Sequence, residues 1–325
     1  MMIKFVKGDY LKLNLENLIK YLSSISIVIL IAIFAAINAN FISLFNIKNI
    51  LTDIAPLLAM ACGVTFVLLI GSIDLSIGSI CSCSVVLLTV LLQKIGPWAY
   101  LLVILYGVFA GYLNGFLYTR IKVPSFIVTL STMSIWQSSA YLLSGGAPLP
   151  MPSKIWPLIN WGKISFGFIP LLFIIAVLLM AAYYIIQSKL IIGKTMYAAG
   201  ANERAARLAG LNVQAAKVAA FTLSGLGAAL SGILFAVKLK SGIPTLGEPY
   251  TLMAIAASVL GGTSLTGGKG SVFMTILGVA LVTVIQNGLN VAAVDGFWQQ
   301  IVFGLLVLFA VYISADRSGK DLVVK

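Results

Sequence analysis

The sequence predicts an all-α integral membrane protein of about ten transmembrane helices, some of them broken or re-entrant. Three observations predict it. Of the 325 residues, 60% are hydrophobic and 9% charged, whereas a soluble domain carries about a quarter charged residues. Mean hydropathy is +1.07. The apolar residues also fall in runs, and at about 20 residues per crossing they supply roughly nine or ten spans and leave little for an aqueous domain. Such a composition excludes disorder, collagen and a disulfide-stapled secreted module.

The chain opens with a basic tail, residues 1–20, carrying Lys4, Lys7, Lys12 and Lys20. The apolar run 21–38 follows. A basic start before an apolar stretch also describes a secretory signal. The run is long, however, and no A-x-A cleavage site follows it, so an uncleaved first span is expected. Further runs lie at 54–70, 79–92, 97–117, 125–143, 166–186, 215–237, 252–260, 272–289 and 297–313. Together they define a polytopic body over 21–315, with a second tail at 316–325. Runs 79–92 and 252–260 are short for a full crossing, which points to tilted, broken or re-entrant segments.

Charge placement orients the body. With the amino end inside and ten crossings, fifteen of the 21 basic residues fall inside, among them Arg120, Lys122, Arg204, Arg207 and Lys217. Lys48, Lys94, Lys154, Lys163, Lys238 and Lys240 fall outside. That bias has the sign expected of cytoplasmic loops and places both termini in the cytoplasm. The net charge of +12 is scattered between apolar stretches rather than clustered with aromatics, so no nucleic-acid partner is expected. Two loops are long. Residues 144–167, with four prolines and two tryptophans, read as a stiff extracytoplasmic rim. Residues 187–217, rich in Ala, Arg and Lys, read as helical and cytoplasmic.

The absences narrow the chemistry. The chain has no histidine, which excludes imidazole catalysis, Ser-His triads and His-ligated metal. Cys62, Cys81 and Cys83 lie in apolar runs without C-x-x-C spacing and read as small core residues. The stretch from Ser188 to Thr195 misses a phosphate-binding loop because Ser188 stands where glycine is required. The chain is therefore expected to be no enzyme and to carry no cofactor. Any nucleotide hydrolysis falls to a partner chain.

Among the nine acids, Asp53 and Asp74 alone lie near apolar zones. Asp53 begins a run, where a carboxylate complements a helix amino terminus. Asp74 lies in the glycine-flanked 71–78 (GSIDLSIG) and is read as a structural or gating group ahead of an ion site. That segment echoes 261–268 (GGTSLTGG) as G-x-x-x-L-[ST]-x-G. Paired interruptions of this kind occur where freed backbone faces a transport cavity.

In 203–210 (ERAARLAG), small residues at Ala205, Ala206, Ala209 and Gly210 would let a short helix lie close against a partner, with Glu203 and the arginines at its rim. A solvated amphipathic helix is the plain alternative. The stretch resembles the E-A-A-x-x-x-G element of ABC-transporter permeases, displaced by Arg204. The resemblance extends further. Residues 63–65 (GVT), 71–79 (GSIDLSIGS), 123–130 (VPSFIVTL), 193–202 (GKTMYAAGAN), 259–268 (VLGGTSLTGG) and 287–290 (NGLN) occur in the order seen in ribose-type permeases of bacterial carbohydrate ABC importers. The match covers 49–313 and departs from the pattern at Ser72, where glycine is common, and at Arg204.

The resemblance implies a type II ABC-importer-like permease of the bacterial inner membrane, paired with a second permease subunit. It further implies a cytoplasmic ABC ATPase that docks on the 187–217 loop, with Gly193, Glu203, Ala205, Ala206 and Gly210 in the coupling element, and an extracytoplasmic sugar-binding protein. The expected cargo is a monosaccharide of the ribose, xylose, galactose or autoinducer-sugar group. A nucleoside importer and an ion-driven secondary transporter are the alternatives. For the translocation path, Ser125, Thr129, Thr132 and Trp136 recur at helical spacing on one face, as do Thr283, Asn287 and Asn290. Both sets, with Asp74, are candidates. Helix-to-helix hydrogen bonding explains the same spacing equally well.

Overall fold

The structure, a computed structural model, describes residues 25–314; the amino tail, the start of the first apolar run and the carboxyl tail lie outside the described residues. Each of the ten runs becomes a helix: α1 (Ile25–Ile37), α2 (Leu44–Leu69), α3 (Ile77–Ile95), α4 (Trp98–Ile121), α5 (Ser125–Ser144), then α7 (Leu171–Lys189), α10 (Val213–Leu239), α11 (Glu248–Leu260), α12 (Val272–Val291) and α13 (Gly296–Ser314). The turn α6 (Trp156–Ile159) lies in the long rim loop, and α8 (Ile191–Ala201) and α9 (Glu203–Leu208) lie in the other. Among the described residues, α2, α3, α4, α7, α10 and α12 are long and apolar enough to cross a membrane. At 20 residues α5 is also long, but its Ser and Thr dilute its hydropathy.

Two boundaries differ from the sequence expectation. Helix α2 begins at Leu44, well before its run, with Ser43 Oγ accepting from the Asn46 amide at 3.2 Å. The added turns are tolerated because their charges are partnered: Lys48 Nζ donates to Ser165 Oγ at 2.8 Å, and Lys238 pairs with Asp53. Asp53 therefore sits inside a helix opposite a lysine, not at an amino terminus. Helix α3, expected to be short, has 19 residues, and the interruption lies before it. The shortness of α11 holds, at 13 residues.

Helix α10 is the central post, packed against α2, α3 and α4. Apolar side chains gain little by leaving lipid for one another, so close helix contact in a membrane needs small residues. On α4, Gly107, Gly111 and Gly115 recur every four residues, and a Cβ on Gly111 would lie 2.2 Å from the Phe221 carbonyl oxygen. On α10, Gly225 answers them: its Cβ would lie 2.3 Å from the Gly107 oxygen. At one end of the bundle the rim loop pairs with the α10–α11 connection through β1 (Leu149–Pro150), which joins Ser241–Gly242 antiparallel. Lys240 stands over the Trp156 ring there, at 4.2 Å. At the opposite end lie α8, α9 and the two glycine segments.

Candidate functional site

Helix α2 stops at Leu69, Gly71 turns with φ +70°, and the chain runs without regular structure from Ser72 to Ser76 before α3 starts. Freed amides at membrane depth must find partners within the protein. Ile73 N donates to Ser125 Oγ and Leu75 N to Thr129 Oγ1, both at 3.2 Å. Ser76 N donates to Asp74 Oδ1 at 3.0 Å. The fully buried Asp74 also accepts from Ser76 Oγ at 2.6 Å and, on Oδ2, from Ser224 Oγ at 2.8 Å. Asn114 Nδ2 donates to Ser76 Oγ at 2.7 Å. Asp74 thus ties the unwound segment to α10 and, through Ser76, to α4, while Ser125 and Thr129 hold it to α5.

The rest of the α5 set lies one and two turns on. Thr132 Oγ1 donates to the Thr129 carbonyl at 3.3 Å. Trp136 meets Tyr106 edge-on at 5.4 Å, and its buried indole N–H has no partner. The second polar set does not converge. Thr283 Oγ1 is buried without a partner, Asn287 pairs with Asn46 on α2, and the exposed Asn290 accepts from Gln299 of α13 at 2.8 Å.

The two echoing glycine segments touch. Gly268 N donates to the Leu69 carbonyl at 2.8 Å, and a Cβ on Gly267 would lie 2.6 Å from Gly71 N. Gly200, near the end of α8, closes the group: its Cβ would fall 1.9 Å from the Leu69 oxygen.

Gly193 lets α8 fold tightly back on α7, because a Cβ there would lie 2.4 Å from the Gln187 oxygen. Asn202 then caps α9, its side chain accepting from Ala205 N at 3.0 Å. Within α9 the residues divide. Ala206 is buried with Ala199 and Val213, so it faces the body rather than a partner. Ala205, Ala209 and Gly210 are exposed, beside Leu208 at 83% exposure. Gly210, with φ +78°, ends the ledge. Glu203 turns inward: Lys217 Nζ donates to Oε2 at 2.9 Å and Arg207 Nη2 to Oε1 at 2.5 Å. Partial burial pushes the Glu203 carboxyl up, but the bonds and charges of Lys217, then Arg207, outweigh it and hold it below its ordinary value. Beside this bridge, a cavity of about 500 Å³ opens between the end of α4, the start of α5 and the α9–α10 turn, lined by Tyr118, Lys122, Glu203, Arg207 and Lys217.

Sequence reasoning did not single out Asn114, Tyr118 or Ser224, and it read Lys217 only as a topology charge. Asn114, an amide inside an apolar run, was the one visible signal. The others become partners only through the fold.

The sequence profile of the family described as "Branched-chain amino acid transport system / permease component" matches residues 46–311. The chain belongs to this permease family. Among its relatives, the ribose import permease protein of Bacillus subtilis (strain 168) is 36% identical over 296 residues, 90% of this chain and 91% of that one. The ribose import permease protein of Escherichia coli (strain K12) is 34% identical over 301 residues, 91% and 94%. The L-arabinose transport system permease protein of the same strain is 33% identical over 288 residues, 86% and 85%. No solved structure matches the chain. Family membership and the apolar helices together make this permease a multi-pass membrane protein.

Proposed function

We propose that this chain is the membrane subunit of an ATP-driven importer for a monosaccharide of the pentose class or a similar polyol. ATP is hydrolysed on a separate cytoplasmic ATPase, solute arrives on an extracytoplasmic binding protein, and a second permease subunit completes the path. Both termini and the α9 ledge face the cytoplasm, and loop 144–167 forms the outer rim. The observation that carries this reading is the near-full-length similarity to ribose and arabinose permease proteins.

The geometry supplies a mechanism. The ledge exposes Ala205, Leu208, Ala209 and Gly210, an apolar surface of low relief suited to docking on the ATPase, and Gly193 and Ala206 set its position. Beyond the turn at Gly71 and Ser72, the amides of the unwound segment at Ile73, Leu75 and Ser76 are held by side chains, those of Ser125, Thr129 and Asp74. Thr132 and Trp136 continue from it along α5 toward the rim, and hydroxyls with an indole suit the passing contacts of a sugar. Thr283, Asn287 and Asn290 of α12 are the second candidate set for the path, though Asn287 is engaged by Asn46 and Asn290 by Gln299.

The test is uptake into proteoliposomes holding this chain, its ATPase and its binding protein. ATP-dependent accumulation of ribose or arabinose is the expected result. Accumulation of nucleosides alone transfers the assignment to a nucleoside importer, and uptake driven by a sodium or proton gradient without ATP overturns it.

A further inference from the structure

The docking ledge and the unwound segment lie on different elements, and one line of side chains joins them. Lys217, near the start of α10, is 9% exposed. Its ammonium takes the Glu203 carboxylate at 2.9 Å and lies 4.8 Å from the centre of the Tyr118 ring. Tyr118, near the end of α4, is itself buried, and its hydroxyl accepts from Ser72 Oγ at 3.2 Å. Phe221 of α10 braces the ring edge-on at 5.6 Å. Ser72 follows the turn at Gly71 and precedes Asp74 by two positions.

We propose that Lys217 and Tyr118 are positioning residues that transmit the state of the ATPase-docking ledge to the unwound segment, through the line Glu203, Lys217, Tyr118 and Ser72. The assignment rests on the importer reading above and adds the route of coupling to it. A lysine half-held by a carboxylate and half by a ring face has two attractive partners, so a shift of Glu203 alters its hold on the ring. The ring in turn bears on the one hydroxyl contact that Ser72 makes with α4. The neighbouring cavity of about 500 Å³ leaves the ledge side of this line open to a docking partner, whereas the Ser72 side is packed. Motion entering at Glu203 therefore leads inward. Among the side-chain hydrogen bonds of the unwound segment in the described residues, that at Ser72 leads through Tyr118 to the charged Lys217. Those of Asp74, Ser125 and Thr129 run to neutral groups on α4, α5 and α10 and to the segment's own backbone.

The test uses the complete importer in proteoliposomes, with ATP hydrolysed and sugar taken up measured in the same vesicles. Tyr118→Phe removes the hydroxyl that Ser72 reaches and keeps the ring under Lys217. Ser72→Ala removes the other half of the same bond, so it reports independently should one variant fold poorly. Each is expected to co-purify with the ATPase as the unaltered chain does, while sugar moved per ATP falls about fivefold or more. The double variant is expected to be no worse than either single one. Unchanged sugar per ATP in both single variants overturns the relay and leaves the importer reading intact; losses that multiply in the double variant also overturn it, since they mark two separate structural roles. Absence of ATP-driven uptake by the unaltered complex removes the importer reading and the relay together.

Discussion

Asn46 and Asn287, 241 residues apart in sequence, exchange two side-chain amide hydrogen bonds, at 2.8 and 3.0 Å. Asn46 Nδ2 also donates to the Phe41 carbonyl at 2.8 Å, so the pair fastens α2, α12 and the α1–α2 turn at one point. Replacing Asn287 with leucine leaves the buried Asn46 Oδ1 without its donor, while Asn46 Nδ2 keeps the Phe41 carbonyl. We expect Asn287→Leu to destabilise the detergent-solubilised protein by about 1 kcal/mol. Asn46→Leu with Asn287→Leu should cost less than the two single losses added, because no orphaned amide remains. Thermal unfolding of the four proteins measures the cycle, and strict additivity would show that the pair does not act as a unit.

Asp74 gives a sharper contrast. Asp74→Ala strands Ser76 N, Ser76 Oγ and Ser224 Oγ, each buried. A buried donor without a partner costs about 1–3 kcal/mol, so this variant should express poorly or unfold at markedly lower temperature. Asp74→Asn keeps one carbonyl oxygen and the side-chain volume and should lose less. If Asp74 fixes the segment rather than binding an ion, ATP-driven uptake by the surviving Asp74→Asn protein will be indifferent to sodium and to a pH gradient. Uptake in the unaltered protein that requires either ion would overturn that role.

Fold class, helix count and the positions of both interruptions were legible in the sequence, because lipid forces apolar runs and leaves breaks only where the backbone can be satisfied inside. The echo of 71–78 in 261–268 marked both interruptions, but not that they pack on each other, as Gly267 does against Gly71. Side-chain partners were another matter. The spacing of Ser125 and Thr129 placed both hydroxyls on one face, but nothing in that spacing said that the face would meet the amides of Ile73 and Leu75. Tyr118 and Lys217 carry no motif at all. Their pairing exists because Gly111 and Gly115 bring α4 so close to α10 that the two helix ends converge. Ala206 was read as part of a docking surface from its size, and size alone does not separate a residue facing a partner from one facing α8.

The Glu203 bridge predicts a pH dependence with a definite sign. Its carboxyl is held below its ordinary value in the folded protein by Lys217 and Arg207, against partial burial. A depressed folded value means that the bridge contributes fully above the ordinary carboxylate range. The contribution is lost as pH falls through the folded value. The group is partly exposed, so screening keeps the contribution to about 1 kcal/mol or less. Unfolding midpoints of the unaltered protein should therefore fall faster than those of Glu203→Gln between neutral pH and acid. Parallel curves would mean that the bridge adds nothing to stability.

Gly200 is where three backbones converge, and substitution there separates crowding from conformational strain. Its Cβ would lie 1.9 Å from the Leu69 oxygen and 2.4 Å from Gly268 N. Neither neighbour is a flexible side chain, so Gly200→Ala must push α8 away from both glycine segments at once. Overpacking of this kind costs about 1–3 kcal/mol, and the displaced segments include the unwound stretch after α2. Gly146 provides the control: it has φ +79° with nothing within 4 Å of a Cβ, so Gly146→Ala meets left-handed backbone strain of about 1–2 kcal/mol alone. Both variants should lower the unfolding midpoint, but only Gly200→Ala should also lower sugar moved per ATP, because only its displacement reaches Leu69, Gly71 and Gly268. Equal uptake per ATP in the two proteins would mean that the convergence of glycines serves packing and has no part in transport.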